Sequence, residues 1–247
     1  MSLRKIFIAL ALPVSLMATA TVAMAGPPSI CHPLDIGTAK SLPFTNDAFI
    51  PGDLQNSEVI PATLSILDES SSAVVHMETL RRAFIYVGFG KRRSPHFQEL
   101  IVKLKERALL ALVSPGTSPD RQALALFDVG FILQVQAEEG HGGGKDRYKA
   151  PQLYFAKATQ LAPDNGEIAL GAAISNLMPH EGSRSRFLVY MNSALKVASR
   201  QHGLLERNAL RSLVQWDSSY SGKDLTAISK LIANELSLKT RTDVKDV

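Results

Sequence analysis

Residues Gly140 to Lys145 read GHGGGK. Glycines ending on a lysine are the composition of a loop that wraps phosphate oxygens with backbone N–H groups and an ammonium. That chemistry needs a fuller pattern: a first glycine five positions before the last, Ser or Thr after the lysine, and a strand leading in. Here Glu139 stands at the first-glycine position, Asp146 follows Lys145, and the apolar spacing upstream is helical. A carboxylate beside the lysine also repels phosphate. The stretch is therefore expected to be a connector between helices, with His141 exposed in it.

Other chemistry-bearing residues lack partners at the needed spacing. Glu69-Ser70 matches the catalytic Glu-Ser pair of lytic transglycosylases, but that family follows it closely with a Gly-Leu-Met-Gln-like segment. The nearest similar text, Asn176-Leu177-Met178-Pro179, stands far downstream. The six histidines, His32, His76, His96, His141, His180 and His202, occur singly, with no H-E-x-x-H and no paired cysteine, and most are expected at the surface or at helix ends. No G-x-S-x-G elbow is present. Glu138 and Glu139 are adjacent, so they point in different directions and suit a helix-end charge role better than a paired-acid site. No catalytic residue, metal or cofactor is expected from these patterns. An envelope enzyme whose site assembles from distant residues stays open as the alternative function.

Cys31 is the single cysteine. It cannot form an internal disulfide, so the chain must be held by its core. It is left as a free thiol or as the link of a dimer. Haem attachment calls for C-x-x-C-H, whereas Pro28 to His32 supplies only the final Cys-His pair.

The first 25 residues resemble a secretory signal peptide. Arg4 and Lys5 precede an apolar run from Ile6, broken by Pro13, and small residues Ala23 and Ala25 stand before Gly26. Cleavage between Ala25 and Gly26 is expected, giving a periplasmic or extracellular protein with no membrane segment after cleavage. Losing that segment removes two cations and no acid, so the formal excess of four positive charges falls to two. Such a weak excess is no footprint for nucleic acid.

Residues 26–63 are rich in Pro and Gly, which remove donors and disfavour helix, so an irregular strap is expected. Its apolar residues Leu34, Ile36, Leu42, Phe44 and Phe49 suggest that it packs on the body. Residues 64–240 then show helical spacing: Met77, Leu80, Phe84 and Val87; Phe97, Leu100, Ile101, Leu104 and Ala108; and Leu124, Phe127, Phe131 and Val135. Ser94-Pro95 and Ser118-Pro119 mark helix starts. Further helices are expected from Tyr148 to Leu161, from Gly166 to about Leu177, and within 185–200, 204–216 and 225–238. Residues 241–247 form a tail. The fold class is all-α, with antiparallel helix pairs.

YFAKATQLAPDNGEIALGAAI, Tyr154 to Ile174, resembles the second helix of a tetratricopeptide repeat, its proline turn and the first helix of the next repeat. Phe155, Ala158 and Pro163 take the aromatic, small and proline positions, and Phe127, Gly130 and Phe131 in Ala123 to Leu133 take the Leu, Gly and aromatic positions of a first helix. The match departs at Glu138 to Arg147, an insertion where the family has a short turn. The resemblance implies a solenoid whose concave face takes a protein or peptide ligand, and it would place Glu167, Leu170 and Ile174 in that groove or in the core beneath it. The strap from Cys31 to Pro51 is a candidate to fill the groove from within. The mature protein is expected to begin at Gly26, as intact mass or amino-terminal sequencing will read; retention of Met1 to Ala25 would make the segment an anchor instead.

Overall fold

The computed structural model describes residues 27–45, 50–89, 94–140, 144–178, 182–201 and 203–243. The expected signal segment and its Ala25–Gly26 junction lie outside these residues, as do His141, His180, His202 and the middle of GHGGGK. The described chain forms α1 (Pro28–Cys31), α2 (Asn56–Glu69), α3 (Ala73–Val87), α4 (Pro95–Val113), α5 (Pro119–Glu138), α6 (Lys149–Leu161), α7 (Gly166–Ile174), α8 (Ser183–Ala198), α9 (Leu204–Trp216) and α10 (Leu225–Asp243). Short 3-10 turns occupy Gly144–Tyr148 and Ser218–Tyr220. The single bridge between Phe44 and Pro51 is the only β pairing among the described residues.

The helix starts follow local chemistry. Ser72, Ser94 and Ser118 accept from the backbone N–H groups of Val75, Phe97 and Arg121, and Pro95 and Pro119 open their helices where no N–H is needed. Asn165 accepts from the N–H groups of Glu167 and Ile168 and starts α7. One helix begins where irregular chain is expected: α2 starts at Asn56 and carries Pro61 inside it. Gln55 and Glu58 form a capping box that fixes the start. Pro61 then forfeits only one bond, to the carbonyl of the exposed Ser57, which water can reach.

Helices pack in pairs. The large pairwise contacts are α5 with α6, α7 with α8, α4 with α5 and α2 with α3. Helix α3 is the hub: it meets α2, α4, α5, α7 and the strap turn α1, and every residue in it except Arg82 is buried. Its contact with α7 as well as α5 joins helices that a strictly linear stack would keep apart. The architecture is thus predominantly helical, with helix pairs gathered around α3.

Close approach depends on small residues. Phe127 and Phe155 meet at 5.6 Å between ring centroids, and Gly130 lies under the Phe155 ring, where an added Cβ would be 3.2 Å from it. At Gly171 an added Cβ would fall 2.4 Å from Cζ of Phe127 and 2.7 Å from Sδ of Met77, so α3, α5 and α7 converge on a position that only hydrogen fills. Gly171→Ala is expected to destabilise the fold by about 2 kcal/mol through overpacking, lowering Tm by roughly 4 to 8 °C in a thermal melt. An unchanged Tm would show that the three helices are not in contact there.

Candidate functional site

The most elaborate side-chain arrangement among the described residues is the surface of α3 and α9 on which the amino-terminal strap lies. Residues 78, 82 and 86 recur every four along α3 and so share one face, with 79 and 81 flanking it. Glu78 is buried and accepts from Arg81 at both carboxylate oxygens, 2.8 Å each, and from Nε of Arg82 at 2.7 Å. It also accepts the backbone N–H of Leu34 at 3.0 Å. Each arginine has a hand left for the strap: Arg81 donates to the Ile30 carbonyl at 3.1 Å, and Arg82 to that of Leu42 at 2.7 Å. The Tyr86 hydroxyl donates to the Pro43 carbonyl at 2.6 Å, and burial pushes that phenol above its ordinary range. The Phe44 ring lies 5.7 Å from Arg81 and 5.2 Å from Arg82, within cation–π range, and packs edge-on against Tyr86.

Helix α9 completes the grip. The Asn208 amide pairs with both main-chain groups of Asp35, accepting its N–H and donating to its carbonyl at 2.8 Å each. Arg207 binds the Asp35 carboxylate at 2.8 Å, and this hydrogen bond is the first cause of that acid's lowered pKa. Two apolar strap residues, Ile30 and Leu42, are fully buried. Most polar contacts go to strap main chain, so this surface reads an extended, proline-punctuated path more than side-chain identity.

A second feature lies at one end of the helices. A cleft of about 740 Å³ is bounded by the end of α2, the starts of α3 and α5, and the α6–α7 turn. Its lining includes Asp68, Glu69, Asp120, Asp164 and Glu167 against one cation, Arg121. Three helix N-termini face it, an arrangement that ordinarily attracts anions. Here Ser72, Ser118 and Asn165 already cap them. Glu167 adds its own carboxylate, accepting from the Ser72 hydroxyl at 2.7 Å and from Val74 N–H at 3.2 Å. The cleft thus supplies its own anions and repels added ones.

Beneath it lies a buried ion network. His76 and Asp128 are fully enclosed, 2.8 Å apart. Nδ1 of His76 faces the carboxylate and Nε2 faces the Ser70 carbonyl at 3.1 Å. Arg107 bonds Asp128 at 2.7 Å and Asp68 at 2.8 Å, so one guanidinium bridges two carboxylates. A His-Asp pair suggests nucleophilic catalysis, but there Nε2 must reach a hydroxyl or thiol. In this chain a carbonyl occupies that place, and the ring has no solvent exposure. The network ties α2, α3, α4 and α5 together.

The residues singled out by sequence fall as follows. Leu170 and Ile174 are buried in the core, which is the second of the two positions expected for them. Glu167 caps α3 at the cleft wall. Cys31 is half-buried on α1, and its thiol is pushed up first by burial and next by Glu138. His96 is partly exposed beside Glu99, as a helix-end histidine, while His76 corrects the surface expectation because Asp128 and Ser70 supply both its partners. Glu138 is likewise no exposed helix-end charge: it is buried against Ser29 of the strap. No group of metal-ligating side chains occurs among the described residues, and none of their helices is long and apolar enough to cross a membrane. Compared with protein-family models, curated proteins and solved structures, the chain matches none of them.

Asp128→Ala leaves the enclosed His76 and one hand of the half-buried Arg107 without their carboxylate. It is expected to destabilise the fold by roughly 3 to 5 kcal/mol in chemical denaturation; a loss under about 1 kcal/mol would show the network to be dispensable.

Proposed function

We propose that this chain is an exported, noncatalytic helical module, built from tetratricopeptide-like helix pairs, that binds an extended segment of a protein or peptide. The observation that carries this reading is the strap itself. Side chains of α3 and α9 hold an extended polypeptide by its carbonyl and N–H groups, with pockets for two apolar anchors, and the strap is the resident occupant. In peptide recognition generally, main-chain hydrogen bonds supply affinity and pockets for side chains supply specificity. The amino-terminal resemblance to a signal peptide supports export, and the ligand is then an extended, proline-containing segment met outside the cytoplasm.

A tethered occupant competes at an effective concentration in the millimolar range, so an external peptide must meet a weakened strap to bind measurably. Leu42→Asp alters the strap and leaves the α3 and α9 side chains intact. The full mature chain carrying it is expected to bind a fluorescent synthetic peptide of residues 33–45 at least about tenfold more tightly than the unaltered chain does, read by anisotropy. Equal, negligible binding by both chains, with the variant folded by circular dichroism, would reduce the strap to a fixed structural element and remove the support for a peptide-binding surface.

A further inference from the structure

The strap's first turn closes on a carboxyl group that has no cation bonded to it among the described residues. Glu138, the last residue of α5, accepts the backbone N–H of Ser29 at 2.9 Å and the Ser29 hydroxyl at 2.9 Å. Nε2 of Gln134, one turn back on α5, donates to it at 3.0 Å. The residue is only 7 % exposed. It also stands at the helix C-terminus, where backbone carbonyls disfavour negative charge, and next to Glu139. Among the described residues every partner is a neutral donor, so an ionised Glu138 carries a buried charge with no salt bridge there.

The same site can accept a proton. Oε1 of Gln134 is buried with no hydrogen-bond partner. A half-turn of that amide brings its oxygen to the position from which Nε2 now donates, where it can accept from a carboxylic acid. The Ser29 N–H and hydroxyl can still donate to the carbonyl oxygen of the acid, more weakly than to the carboxylate. We propose that Glu138 is a proton-operated latch for the strap: as a carboxylic acid it lets residues 29–32 close over the end of α5, and as a carboxylate it favours their release to water.

The surrounding charges set the direction. Burial, the first cause, raises Glu138 from an ordinary 4.5 to about 7; its bonds from Gln134 and Ser29 pull the other way, and Glu139 adds to the rise. Cys31 on the same turn is neutral while its thiol is held up. From α3, Arg81 is turned onto Glu78 and the Ile30 carbonyl. From the 3-10 turn packed on α5, Arg147 lies over the Tyr148 ring at 5.0 Å. His32, the strap's other titrating group here, has its pKa lowered by burial first and by Arg81 next. Released and hydrated, Glu138 returns to its ordinary value. Docking is therefore fully favoured below about pH 4.5, weakens as pH climbs, and has lost the whole increment above about pH 7. His32 works with the opposite sign, since its neutral form suits the docked strap and acid promotes release. The slope of docking against pH tells the two apart. The latch operates whether or not the groove takes a peptide.

Cys31, the single cysteine, sits on the latched turn and reports its opening. The measurement is the alkylation rate of Cys31 in the folded mature chain divided by that of the same chain unfolded in urea at each pH, which removes the intrinsic thiolate dependence. Protection is expected to fall roughly a hundredfold between pH 4.5 and pH 8. In Glu138→Gln, which keeps an acceptor for Ser29 and cannot ionise, it is expected to lose that fall. His32→Gln is expected to leave the fall in place or steepen it. Protection that stays flat or rises with pH in the unaltered chain, or that keeps its fall in Glu138→Gln, overturns the latch. Should Glu138→Gln fail to fold, carboxyl NMR of the unaltered chain decides: a Glu138 midpoint near 7 that moves with the Ser29 amide signal supports the latch, and a midpoint near 4.5 overturns it.

Discussion

One buried carboxylate organises the amino-terminal half of this protein. Glu78 holds two guanidinium groups and one strap N–H, so a single negative charge faces two positive ones. The excess cation needs other acceptors in a region from which water is excluded. The strap provides them: the carbonyls of Ile30 and Leu42, and the face of the Phe44 ring. Without the strap, Arg81, a large and fully buried side chain, would lose its third partner, and apolar α3 surface would meet solvent. The helix and the strap are each incomplete alone, which is why α3 can be the most buried long helix and still carry Glu78, Arg81 and Arg82.

The opposite end of the helices solves a related problem with the signs reversed. Three helix starts gather there, and each concentrates partial positive charge from unpaired N–H groups. Ser72, Ser118, Asn165 and Glu167 satisfy these donors from within, and acidic side chains surround them. Below, Arg107 bridges Asp68 and Asp128, and His76 bonds Asp128, so four helices are joined.

Much of the helical plan was legible in the sequence. The Ser-Pro pairs stand at the starts of α4 and α5, the apolar spacing marks the buried faces, and the small and aromatic residues at Gly130, Phe155, Ala158 and Gly171 sit where helices meet most closely. The apolar residues of the strap also signalled that it packs on the body. Its partners were hidden for a physical reason. Glu78, Arg81 and Arg82 have the spacing of an ordinary exposed ion-pair cluster, and nothing local distinguishes such a cluster from one roofed by chain forty residues away. Helix α2 was masked by Pro61, whose cost falls to one solvent-facing bond once the capping box has set the start. Single histidines are usually exposed, and nothing local marks His76 as an exception, since Asp128, its partner, is 52 positions away. Glu138 misled in the same manner, since the group that buries it, Ser29, precedes it by 109 positions.

The two hydrogen bonds between Asp35 and Asn208 span 173 positions of chain. Joining ends so far apart carries a loop-closure cost that local helix formation does not, so contacts of this kind are slow to form and arrive after the segments between them are in place. The chain is made from its amino terminus, and the strap therefore emerges long before α9 exists to receive it. During that interval the charged face of α3 and the apolar strap residues have only each other, or another protein, for company. Completion of the fold becomes an event that belongs to the carboxy-terminal third: a chain cut short before Leu204 could still build most of its helices and lay the strap on α3, but Asp35 would lack the Arg207 and Asn208 partners that finish its fastening.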